Sequence, residues 1–167
     1  MGSCCRLAVA LASLVLLGVL ARAGEDADLA RKLRAAAGPL LSPSPADAIA
    51  RGALVEVLDI ATQVAARAEL PGGVAPRLRE ADAGWRKSPE AMPAPAVVAE
   101  LAEAYAALHG GRRFAFPPDV RTIDQAREAC RRAIEGAASA LADGRRPEAI
   151  RGMLQFLLLV TTPMEAH

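Results

Sequence analysis

The chain carries two histidines, His109 and His167, and three cysteines, Cys4, Cys5 and Cys130, so any imidazole or thiol chemistry rests on five side chains. A metal site wants His, Cys or carboxylate ligands clustered at helical or turn spacing. No such cluster is found; only Met164 and His167, three residues apart, could share a face if the tail is helical. A nucleophilic thiol needs a neighbour that lowers its pKa. No activating residue can be placed beside Cys130, which falls on the apolar side of its segment and reads as a small buried hydrophobe. No serine stands in a Gly-x-Ser-x-Gly turn. Gly72-Gly73 and Gly110-Gly111 punctuate helices and do not form a phosphate cradle. Glu100, Glu103, Glu128 and Glu135 sit on solvated helix faces. The expectation is a protein that is not an enzyme and that holds no cofactor and no metal.

One stretch stands apart as a binding candidate. Arg112-Arg113-Phe114-Ala115-Phe116-Pro117-Pro118-Asp119 sets two of the three phenylalanines beside a pair of arginines. Loops run over the surface, so rings there need a reason. Either they fold back as a plug on the end of the domain, or Arg112, Arg113, Phe114 and Phe116 form a small anion or partner site, charge and ring area together.

The elements that must position these residues read as helices throughout. The most consistent segment is the C-terminal hairpin, 122–160. Thr122 and Gln125 form a capping box. Ile123, Ala126, Cys130, Ile134, Ala137 and Leu141 then recur every three or four residues on one face. Gly144 suits a left-handed helix end, and Arg145 and Arg146 suit the carbonyl end of the dipole. Pro147 suits the first turn of the following helix. That last helix, 147–160, is apolar on every face except at Gln155, which suits a central position in a bundle.

Upstream, the spacing predicts helices over 25–37, 45–70, 74–87, 95–109 and 122–143. Ser44 would cap the second, with Pro45 in its first turn. The predicted fold is all-α: one helical bundle over 24–167, of about four long helices plus one or two short ones. Gly84 interrupts the apolar pattern of its helix, and the single tryptophan, Trp85, is expected to anchor core or edge.

Residues 1–23 are predicted to be a signal peptide. Arg6 precedes a 14-residue apolar run, 7–20, and Ala21 and Ala23 occupy the small-residue positions before Gly24. The run is short for a bilayer span of about 20 residues, so no stable membrane span is expected after cleavage. An uncleaved anchor is the alternative. The expected location is exported, periplasmic or secreted. Cleavage leaves Cys130 as the lone thiol, which excludes an intramolecular disulfide. With 20 basic and 19 acidic residues and 3% aromatics, there is no basic, aromatic-laced surface for nucleic acid.

Two resemblances are local. The last hairpin is loosely similar to the last helix pair of the four-helix cytochrome b562 family, which implies an alternative role as a haem or metal carrier using Met164 and His167, with His109 a possible further ligand. The chain departs from that pattern: its first helix has no Met, His167 is the last residue, and Cys-x-x-Cys-His is absent. Ala142 to Ile150 resembles the turn of a tetratricopeptide hairpin without the rest of that repeat. The leading expectation is a non-enzymatic protein that binds a protein partner through a bundle face or the Arg112–Phe116 loop.

Overall fold

A computed structural model describes residues 3–41, 47–88, 90 and 92–164, with side chains described from residue 13 in the first helix and from residue 50 in the second. The described residues are all-helical: α1 (Ser3–Ala37), a short 3-10 turn at Gly38–Leu41, α2 (Asp47–Ala65), α3 (Val74–Lys87), α4 (Pro95–Leu108), α5 (Ile123–Ala142) and α6 (Arg146–Thr161). The predicted cap at Ser44 and Pro45 lies outside the described residues.

The six helices close a ring in the order α1, α5, α6, α4, α3, α2 and back to α1, with α2 and α6 also packed across its middle. Two four-helix cells therefore share the α2/α6 pair. This arrangement explains the composition of α6. It is covered by α2, α4 and α5, and Met153, Leu154, Phe156, Leu157, Leu158 and Leu159 are all buried. The apolar-all-round helix is a core helix.

Local signals hold the α5–α6 hairpin as the spacing predicts. The Thr122 hydroxyl accepts from the Gln125 backbone N–H at 3.2 Å, and Gln125 Oε1 accepts from the N–H groups of Thr122 and Arg121 at 3.1 and 2.8 Å. Gly144 takes φ 74°, and the N–H groups of Gly144 and Arg145 reach back to the carbonyls of Leu141 and Ala140 at 3.0 and 2.8 Å. These two bonds are the Schellman closure that satisfies the last carbonyls of α5.

Four expectations need correction. The helix predicted over 25–37 has no start at residue 25; α1 is continuous from Ser3. Alanine and leucine favour helix on both sides of Gly24, and a single glycine costs only about 1 kcal/mol in a helix. The helix predicted over 45–70 ends at Ala65. Pro71 disfavours helical geometry at the residue before it, and the chain unwinds through the tight bonds Arg67 N–H to Val64 O and Ala68 N–H to Ala65 O. Ile123, placed on the apolar face of α5, is 72% exposed; it is the first residue of the helix, and burial on that face begins only further along, at Ala129 and Cys130. Arg146 does not serve the carbonyl end of α5. It opens α6 and ion-pairs with buried Asp26 of α1 at 2.9 Å, while also donating to the Arg67 carbonyl at 3.2 Å. Beside it Arg67 pairs with Glu25 at 2.5 Å.

Packing of α1 begins only at Asp26. Leu29, Ala30, Leu33 and Ala37 are buried, whereas every described residue from 13 to 25 is exposed. No helix is long and apolar enough to cross a membrane among the described residues.

Candidate functional site

The end of the bundle where α4 finishes, α5 starts and α6 finishes is joined by the 109–122 connection. Gly110 and Gly111 both have positive φ, 63° and 86°, and the Gly111 N–H returns to Ala106 O at 2.8 Å, which turns the chain sharply off α4. The chain then has no helix from Arg112 to Pro117. Exposure alternates along it: Arg113 and Ala115 are exposed, Phe114 and Phe116 half-buried. That is the period of two of an extended chain.

The rings form one cluster with the last turn of α4. Tyr105 stacks on His109 at 3.9 Å between centroids, Phe114 meets Tyr105 edge-on at 5.5 Å, and Phe116 meets Phe114 at 5.6 Å. Both phenylalanines rest on the buried core. The plug is therefore present, and its outer side also borders an open groove of about 1100 Å³. Phe114, Phe116, Pro117, Arg121, Pro163 and Met164 help to line it. The candidates Phe114 and Phe116 are brought together. Arg112 and Arg113 flank them in the chain and point to solvent, Arg112 making only a long 3.5 Å contact to the His109 carbonyl.

The charges here are one-sided. Asp119 faces Arg132 at 3.9 Å, and Asp124 pairs with Arg127 at 2.7 Å. Arg112, Arg113 and Arg121 have no carboxylate partner among the described residues. Arg121 and Met164 belong to this site although sequence reasoning did not include them. The signal available was the convergence of the two α5–α6 chain ends, which spacing along the sequence does not give.

The other candidates are dispersed. His109 is half-buried with Nδ1 2.8 Å from the Tyr105 carbonyl. Met164 is 38% exposed, and His167 lies outside the described residues. No group of three His, Cys, Asp or Glu residues that could hold a metal ion occurs among the described residues.

Cys130 is buried in α5, and burial pushes its thiol from 9.0 up to about 11. At pH 8 iodoacetamide should therefore leave Cys130 unmodified in the folded protein and label it only in denaturant, read by peptide mass. The folded-state value lies above the unfolded one. This thiol's contribution to stability is thus complete below pH 9 and declines as pH rises through about 11. Rapid alkylation of the native protein at pH 8 would contradict the buried position. Comparison of the chain with protein-family models, curated proteins and solved structures finds no match.

Proposed function

We propose that this chain is an exported, non-enzymatic binding protein that engages a protein partner through the bundle end formed by the 112–121 connection and the residues after α6. The observation that carries the reading is the pairing of half-buried rings beside an open groove with three arginines that have no carboxylate partner there. Rings and arginines are the side chains that concentrate binding energy at interfaces, because they bring large area or forked donors with little rotamer loss.

Export is supported by where packing starts. The exposed half of α1 carries Leu14, Val15, Leu16, Leu17, Val19 and Leu20 at 55–67% exposure, and burial begins at Asp26, two residues past the predicted cleavage position. An apolar helix with no cover within its own fold suits a segment destined for a membrane or for removal. Cleavage would leave Glu25, Asp26 and Asp28 in the first turn of α1, the end of a helix where acids are favourable.

The test pairs two measurements on protein purified from its own cells. Intact mass should begin at Gly24 with no added ligand; a mass beginning at Met1 would overturn export with cleavage, and an added cofactor mass or a coloured preparation would favour the carrier alternative. Crosslinking to the partner should be lost when Arg112, Arg113, Phe114 and Phe116 are all changed to Ala, with helicity unchanged. Retention of the crosslink would remove the loop from the interface.

A further inference from the structure

The 112–117 stretch has a second property beyond its side chains. Among the described residues, none of the backbone N–H groups of Arg113, Phe114, Ala115 and Phe116 donates to another backbone or side-chain group. The adjacent bonds stop on either side, at Arg112 N–H to His109 O (3.3 Å) and at Val120 N–H to Pro117 O (2.9 Å). A stretch whose side chains alternate inward and outward leaves its N–H and C=O groups along its edges. Such an edge is a template for a second extended chain. Inward-facing Phe114 and Phe116 pin it to the core, so it is held in place before any partner arrives.

We propose that this stretch takes an extended acidic peptide segment of the partner, which pairs with the free backbone edge of Arg113–Phe116, sets apolar side chains into the Phe114/Phe116/Met164 groove and places its carboxylates against Arg112, Arg113 and Arg121. The proposal rests on the reading of this bundle end as the partner site and names the partner's chemistry. Charge fixes the sign: Arg121 lines the groove and exposed Arg112 and Arg113 precede its rings in the chain, none of the three with a carboxylate partner among the described residues, while Asp119 of the same connection and Asp124 of α5 already face Arg132 and Arg127. Backbone fixes the class. A lipid surface also offers negative charge, but its tails supply no donors or acceptors to a bare peptide edge.

The probe is a fluorescein-labelled eight-residue peptide of alternating Glu and Leu, titrated by anisotropy against the full chain. Two counterparts carry Lys for Glu, or N-methyl groups at alternate amides. The Glu peptide should bind about tenfold more tightly than either counterpart, with affinity falling as salt is raised. Arg113→Glu with Arg121→Glu should abolish that preference and favour the Lys peptide. If all three peptides bind alike, if none binds, or if anionic phospholipid vesicles displace the Glu peptide while neutral ones do not, the proposal is overturned. The quadruple loop variant keeps the two readings apart. Loss of partner crosslinking in that variant, together with indifference of the unmutated chain to the three peptides, removes the acidic peptide and leaves the loop as the interface; intact crosslinking in the variant removes both.

Discussion

Valine in place of Gly152 is expected to destabilise the fold by about 3 kcal/mol, the upper range for overpacking a close contact. Gly152 lies where α6 crosses α5. A Cβ built there would stand 2.8 Å from the Ala137 Cβ, 2.9 Å from the Ala133 carbonyl oxygen and 3.2 Å from the Ala137 Cα. Two of these neighbours are backbone, which cannot swing away, so the helices must separate. Even alanine brings the clash, although helix propensity alone would make Gly→Ala stabilising by about 1 kcal/mol. Gly136 supplies the matched control: it is exposed, inside α5, and a Cβ there meets nothing within 4 Å. Gly136→Ala should raise the urea midpoint, Gly152→Ala should lower it, and Gly152→Val should lower it furthest. Equal shifts at 136 and 152 would mean that α5 and α6 do not approach as closely as the geometry requires.

That contact shows where reading the sequence runs out. Thr122, Gln125 and Gly144 act through partners no more than five residues away, so capping and helix ends were legible from type and spacing. The all-α class and the central place of α6 were legible for a similar reason, because a helix apolar on every face must be covered on every face. Gly152 is different. Its role is set by Ala133 and Ala137, one turn apart on another helix, and small residues mean a close crossing only when the register of two helices is known. The Asp26–Arg146 pair is likewise invisible from spacing, since 120 residues separate its members. In sequence each has a plausible local role, an acid early in a helix and a base late in another. Burial of Asp26, 3% exposed, makes the long-range role win, because a buried carboxylate needs a partner while an exposed one does not. For the candidate site, the ring and arginine types marked the loop, but its groove is completed by Met164 and Pro163, which only the fold brings there.

Trp85→Ala is expected to destabilise the fold by about 3–5 kcal/mol, as large-to-small changes in cores do. Trp85 is fully buried in α3, where α3 packs against both α2 and α4. Collapse around the lost ring is restricted on both sides. A Cβ at the neighbouring Gly84 would already sit 3.1 Å from Val97 of α4, so these two helices have little room to move closer. On the other side, Arg51 of α2 donates to the carbonyls of Ser88 and Trp85 at 2.6 and 3.4 Å, which ties the end of α3 in place. The indole itself adds a second, opposing effect. Its Nε1 is buried and has no hydrogen-bond partner among the described residues, and an unpaired buried donor carries a penalty of about 1–3 kcal/mol. Trp85→Phe removes that donor while keeping most of the ring. Its effect should therefore be much smaller than that of Trp85→Ala, falling near zero if the relieved donor offsets the lost volume. Because Trp85 is the only tryptophan, the transitions must be followed by circular dichroism at the helical band. Destabilisation by phenylalanine as large as that by alanine would contradict the unpaired-donor account of Trp85.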